Sequence, residues 1–141
     1  MQIASPELRA FLLAGTRTAK LATVRADGQP HVVPIWFLLD EDTIIFTTWS
    51  TSVKARNIRR DHRVSLCVDD EQPPFSFAAI EGTAQFIDAD HETLKIWATR
   101  IAGRYMGEDH AEAYGLRNSV EGELLARITP TKIIFQQGIA N

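Results

Sequence analysis

Ser50, Thr51 and Ser52, followed closely by Lys54, are the residues of this chain whose types and spacing best suit chemistry. They lie in FTTWSTSVKARNIRRD, residues 46–61, where a β-type run ending in Thr47-Thr48 gives way to hydroxyl side chains and then to a short helical stretch. The first N–H groups of a helix have no intrahelical acceptor, and the helix dipole adds positive potential there, so such a junction is suited to an anion. Lys54, in the first turn, adds a full charge and directed donors. Lys54, Asn57 and Ile58 fall on one side of that helix at i, i+3 and i+4, so Asn57 can serve the same ligand. A phosphate held by Ser52 and Lys54, with Asn57 in support, is the expected chemistry.

The segment is also a positive island. Lys54, Arg56, Arg59, Arg60 and Arg63 are five of the fifteen Lys and Arg residues of a chain whose net charge is −3. Setting aside residues 54–63 leaves ten basic against seventeen acidic residues. A local anionic ligand explains that distribution better than nucleic acid, which would call for a broader basic face and interleaved aromatics. Arg56 and Arg60 fall on a different side of the helix from Lys54, and Arg59 on a third. Arg59, Arg60 and Arg63 are therefore expected on the solvated surface or paired with acids such as Asp61.

Other chemistries find little support. There is no GxGxxG and no GxxxxGK[ST], so Rossmann-type dinucleotide binding and P-loop chemistry are not expected. His31, His62, His91 and His110 lack metal-ligand spacing, and Cys67 is the only cysteine, so neither a metal site nor an intramolecular disulfide is expected. No GxSxG elbow is present. No apolar run approaches the ~20 residues of a membrane helix. The opening MQIASPELRAF has no secretory pattern, and a cytoplasmic setting is the expectation.

At 141 residues the chain reads as one domain, residues 1–141. Ser5-Pro6-Glu7 is a helix start, with Leu8, Phe11 and Leu12 as its apolar face and Gly15 as its stop. AKLATVR (19–25), the Asp27-Gly28 turn and HVVPIWFLL (31–39) predict a hairpin, and TIIFTT (43–48) a third strand of the same meander. Pro34 requires an edge, a bulge or a functional break. VKARNIRRD (53–61) predicts a helix, VSLCVDD (64–70) a strand, and FSFAAIEGTAQFI (75–87) a long strand bent or bulged at Gly82. A helix from Asp88 or Asp90 to about Tyr105, a shorter one after Gly107, and a last strand, LLARITPTKIIFQ (124–136), interrupted at Pro130, complete the chain. The expected fold is mainly β, in the α+β class: a six-stranded antiparallel barrel with flanking helices.

FTTWSTSVKARNIRRD, LATVRADGQPHVVPIWFLLD and FSFAAIEGTAQFID together resemble the pyridoxamine 5'-phosphate oxidase-like split β-barrel superfamily. The first is similar to its flavin-phosphate segment, the second to its first hairpin, the third to its Glu-Gly strand. KARNIRRDHRVSL with EGTAQF downstream is most similar to the F420-dependent branch. The resemblance implies an oxidoreductase that binds F420, or alternatively FMN, and transfers a hydride to or from a small organic substrate. It implies a homodimer with a cofactor in each of two clefts between subunits. Lys54, Ser52 and Asn57 would hold the phosphate. The strand from His31 through Val33 and Pro34 to Ile35, with Thr48 and Ser50, would line the ring, and Phe75, Phe77 or Trp97 of the other subunit would close the pocket. No side chain is implied as a catalytic acid or base. Pyridoxamine phosphate oxidases proper carry an Arg-Lys pair where this chain has Val53-Lys54, and the ending TPTKIIFQQGIAN lacks their basic and aromatic pattern. A vitamin B6 oxidase is therefore not implied. A carrier of flavin or haem without turnover, with His62 or His91 as haem ligand, is the other class that the sequence allows.

Overall fold

The computed structural model describes Ile3 and residues 5–141. Seven strands and four helices follow one another as α1 (Pro6–Leu13), β1 (Ala19–Val24), β2 (Pro30–Ile35), β3 (Leu38–Asp40), β4 (Thr43–Trp49), α2 (Val53–Arg60), β5 (Arg63–Asp70), β6 (Ser76–Ile87), α3 (His91–Met106), α4 (Glu108–Arg117) and β7 (Glu123–Gln136). All strands join one antiparallel sheet in the order β2-β1-β5-β6-β7-β4-β3.

This corrects two expectations. The fold is mainly antiparallel sheet with flanking helices, but the sheet has seven strands and is open rather than a six-stranded barrel. The stretch 31–39 is not one strand: it breaks at Trp36-Phe37, and its two halves become the two opposite edges of the sheet. TIIFTT accordingly pairs with β3 and β7, not with β2. So short a link spans no more than roughly 11 Å between Ile35 and Leu38. The edges must therefore be drawn together, and the sheet curls round its core without a ladder of hydrogen bonds between β2 and β3.

The break has a physical cause in the end of α3. The Phe37 N–H donates to the Tyr105 hydroxyl (3.2 Å), and Arg104 Nη1 donates to the Phe37 carbonyl (2.8 Å). Those groups are thereby withdrawn from strand pairing. The same guanidinium donates to the carbonyls of Gly15 (3.0 Å) and Leu12 (2.8 Å), tying α1 to the crossover. The Trp36 ring lies parallel on Tyr105, with centroids 5.1 Å apart and planes 4° apart. None of this could be read from the 31–39 pattern, because the partners lie some seventy residues away in sequence.

Inside the curl, alternate residues of the strands meet α1 and α2. Leu12, Leu21, Phe37, Phe46, Ile58, Val68, Ile80 and Ile128 are buried in one cluster. α3 packs elsewhere, with Leu94 and Trp97 against Ile45 and Leu125. Asp90 caps α3 by accepting from the Thr93 N–H (2.8 Å), which settles its start at the second of the two expected acids.

The two prolines inside strands, beyond Pro30 at the first position of β2, sit where a missing N–H is tolerated. Pro34 is on edge strand β2, whose only ladder is with β1. Pro130 faces a bulge: Glu81 is opposite Lys132 while Gly82 is opposite Pro130, so Thr131 is skipped and β7 continues through it.

Candidate functional site

The end of β4 and the start of α2 build the expected junction. Thr48 is buried, and its Oγ1 shares a hydrogen bond with Ser52 Oγ (2.9 Å). Ser52 is the N-cap of α2, and its Oγ accepts from the Ala55 N–H (3.1 Å). Its carbonyl already accepts from the Arg56 N–H (3.1 Å), beginning the helical ladder. The N–H groups of Val53 and Lys54 are then the ones that helix geometry leaves without an intrahelical acceptor. The turn before them is braced by Ser52 N–H to Trp49 O (3.0 Å) and Ser50 N–H to Gly122 O (2.8 Å).

This junction opens onto a cleft of about 320 Å³. Pro34, Ile35 and Trp36 line one side, Thr47, Thr48 and Trp49 another, Ser52 and Lys54 the helix start, and Ala98, Ile101, Asn118 and Glu123 the remainder. Three consecutive residues of β2 and its exit take part although successive side chains point opposite ways, so the backbone edge of β2 borders the cleft. A larger cavity of about 490 Å³ lies among β1, β2, β5, β6 and β7, but it has no helix start and no lysine. Size does not select the site here; the donor set does.

Lys54 and Glu123 are both partly buried in this cleft. Burial pushes the Lys54 ammonium below its ordinary value, and the negative charge of Glu123 partly restores it. Burial pushes the Glu123 carboxyl up, while the positive charges of Lys54 and then Arg117 pull it back. The cation is thus held in a partly dry place, where a ligand's phosphate would interact with it more strongly than in bulk water.

Of the nine residues singled out from the sequence, Pro34, Ile35, Thr48, Ser52 and Lys54 line the cleft. Ser50 stands beside it, with its carbonyl accepting from Arg59 Nη1 (2.7 Å). His31 and Val33 lie farther along β2, on the face that Ile35 shares, and are not among the lining residues. His31 Nδ1 is buried without a partner among the described residues. Asn57 is buried and turned away: its amide donates to Thr23 Oγ1 (2.9 Å) and accepts from Arg60 Nη2 (3.0 Å), so it fastens α2 to β1. Of the three aromatics, Trp97 belongs to the α3 cluster, Phe75 is exposed and Phe77 is half-buried on β6.

Sequence reasoning missed Trp36, Asn118 and Glu123. Trp36 was hidden inside an apparent continuous strand. Asn118 and Glu123 arrive from the far end of the chain, Glu123 because β7 pairs with β4 so that it stands opposite Trp49. The arginines resolve individually. Arg63 binds Asp61 through two hydrogen bonds (3.1 and 2.8 Å), which hold the Asp61 carboxyl down at about 2. Arg60 reaches the Val24 carbonyl, and Arg59 lies over the Phe86 ring at 5.6 Å. No group of His, Cys, Asp and Glu among the described residues is arranged to hold a metal ion.

The fold is an antiparallel sheet curled round its core, in which a Ser-capped helix start and a half-buried lysine open on a cleft. Residues 4–137 match the family model described as pyridoxamine 5'-phosphate oxidase, and the chain belongs to that family. Its fold is similar to a conserved hypothetical protein of Mycobacterium tuberculosis (26% identity, TM-score 0.82, covering 95% of this chain and 84% of that one). It is also similar to a solved F420 reductase (26% identity, TM-score 0.70, covering 89% of this chain and 94% of that one). A 5a,11a-dehydrotetracycline/5a,11a-dehydrooxytetracycline reductase of Streptomyces rimosus is 40% identical over 74 residues, 47% of this chain and 52% of that protein. The match thus spans about half the length of that curated relative. Family and relatives together mark an oxidoreductase-like protein with a flavin-type cofactor.

Proposed function

We propose that this protein is an F420-dependent oxidoreductase, in which the cofactor's phosphate sits at the start of α2 and its ring lies in the cleft along the β2 edge. The observation that carries this reading is the Thr48–Ser52–Lys54 junction opening directly onto the cleft at Pro34, Ile35 and Trp36. The donor set fits: a partly desolvated ammonium and two helix-start N–H groups suit a phosphate, and apolar walls at Ile35, Trp36 and Ile101 suit a ring system. When bound, F420 supplies hydride chemistry toward a small organic substrate. This chain's residues bind the phosphate, hold the ring against the strand edge and exclude water from one of its faces. No side chain is assigned to proton transfer.

The likeness to an F420 reductase favours F420. FMN is the alternative, favoured by the family's own identity as pyridoxamine 5'-phosphate oxidase. A haem carrier is less favoured, because His62 and His91 are both exposed. Titrating the purified protein with F420 and with FMN, followed by fluorescence, should show saturable binding of F420 in preference to FMN. Binding of neither would overturn the reading, and preference for FMN would replace it with the alternative.

The same reading makes the working form a homodimer in a cytoplasmic setting. In support, the outer face and edge of the sheet expose Val32 (62%) and Ile134 (42%), and one copy leaves the cleft open. Among the described residues, no helix is long and apolar enough to cross a membrane. Light scattering should give twice the 15.8 kDa chain mass, and a monomer at micromolar concentration would remove the dimer from the proposal.

A further inference from the structure

A carboxylate is an unexpected wall for an anion site. Glu123 begins β7 opposite Trp49, so the β4–β7 ladder delivers it to the end of β4, where the chain turns into α2. Its place is fixed by backbone bonds on both sides: Glu123 N–H to Val120 O (3.0 Å), and Ser50 N–H to Gly122 O (2.8 Å). Gly122 adopts φ +101°, and the Trp49 ring fills the space its side chain would take, with Cη2 2.5 Å from the position of an added Cβ. Strand, turn and ring thus hold the carboxylate in the cleft that Lys54 lines.

The charges facing Glu123 are few. Lys54 comes from α2 and Arg117 from the last turn of α4. Around them β4 presents Thr47, Thr48 and Trp49, α3 presents Ala98 and Ile101, β2 and its exit present Pro34, Ile35 and Trp36, and the turn after α4 presents Asn118, all uncharged. An entering phosphate meets Glu123 as the one carboxylate among the residues that line the cleft with Lys54.

We propose that Glu123 is the internal counter-ion of Lys54 and that phosphate binding at the start of α2 is coupled to protonation of this one carboxylate. The proposal rests on the cofactor reading above and adds to it a regulatory residue and a pH dependence. In the ligand-free protein, Glu123 balances the ammonium and keeps the partly dry cleft near neutrality. A phosphate brings negative charge to the same place, which disfavours the ionised carboxylate, so the complex retains a proton that the free protein has released. No bond to the ligand is made or broken; one proton passes from solvent to a Glu123 carboxylate oxygen.

The sign follows from linkage. Burial raises the free-state Glu123 carboxyl above its ordinary value, and the bound phosphate moves it higher still. Below the free-state value the carboxyl is protonated with or without ligand, and affinity is maximal. As pH rises from the free-state to the bound-state value, affinity falls, and above both it levels at its minimum. A flavin phosphate has its own second ionisation near about pH 6, which acts in the opposite direction. Comparison of variants at each pH cancels that contribution.

The test uses whichever of F420 and FMN binds, together with its phosphate-free counterpart, titrated into wild type, Glu123→Gln and Lys54→Ala between about pH 5 and about pH 8. Glu123→Gln should bind the phosphorylated ligand on the order of tenfold more tightly at the alkaline end, with the gain shrinking as pH falls, since each pH unit of coupled titration is one decade in affinity. The phosphate-free counterpart should not respond to it. Calorimetry in buffers of different ionisation enthalpy should show that wild type takes up more protons on binding than Glu123→Gln, a difference from which the phosphate's own ionisation cancels. A Glu123→Gln affinity equal to wild type throughout, a gain that does not change with pH, or equal proton uptake by the two proteins would each overturn the coupling. If instead wild type and Lys54→Ala bind both ligands equally poorly, it is the cofactor reading that fails.

Discussion

Lys54→Ala should weaken binding of the phosphorylated cofactor by roughly 10- to 100-fold, the usual worth of a charge-assisted hydrogen bond of about 1.5–3 kcal/mol. The effect should sit at the upper end because two changes coincide. The cation that meets the phosphate is lost, and Glu123, which it partly neutralised, is left with Arg117 as its facing charge. The cleft turns from balanced to acidic, and an anion is repelled where it was attracted. Lys54→Arg should recover part of the loss: the charge returns, but a planar guanidinium replaces a compact ammonium on a different stem. Equilibrium titration of the three proteins measures this, with the phosphate-free counterpart as the arm that should change little. Equal affinity of wild type and Lys54→Ala would show that the helix start does not hold the phosphate.

Gly82→Ala should destabilise the fold by about 2–3 kcal/mol, at the upper end of the range for overpacking a tight site. Its backbone is not in the left-handed region, so the requirement for glycine is one of space. A Cβ there would lie 2.5 Å from the Thr129 carbonyl oxygen, 3.1 Å from its carbon and 3.2 Å from Ile128 Cγ2. Backbone cannot step aside as a flexible side chain can. β7 is also paired on its other flank with β4, where Ile44 stands opposite Ile128, so displacement would pass toward the strand that delivers Thr48. Denaturant unfolding should show a lower midpoint at unchanged slope. A loss below about 0.5 kcal/mol would mean that the bulge has room to absorb the methyl group. Reduced cofactor affinity in the folded variant would locate the strain at the β4 end.

Much of this was legible from local pattern because local forces decide it. The Ser52 cap, Lys54 in the first turn, the Asp90 cap, the Asp27-Gly28 turn and the glycine bulge each depend on a few neighbouring residues. Asp27 Oδ1 accepts from the Gln29 N–H (2.9 Å) and Gly28 takes φ +89°, as the turn chemistry requires. The long strands follow from alternation, and β1 shows it cleanly with Ala19, Leu21 and Thr23 buried. Asn57 shows where local reasoning stops. Helical spacing set it beside Lys54, but the nearness of β1 gave its amide a partner in Thr23, and a buried amide takes the hydrogen bond within reach.

By itself, then, the sequence determined the strand-to-helix junction with its capped, lysine-bearing helix start, the order and approximate bounds of most elements, and the resemblance that the family match bears out. Only the tertiary structure decided which elements meet there. The break at Trp36-Phe37, made by Tyr105 and Arg104 from the end of α3, sends consecutive strands to opposite edges of the sheet and brings Trp36 to the cleft. The β4–β7 pairing sets Glu123 in the cleft that Lys54 lines. These contacts join residues about seventy positions apart. No periodicity in one segment can report the partner that another segment supplies, and the electrostatics of this cleft arise from such a pair.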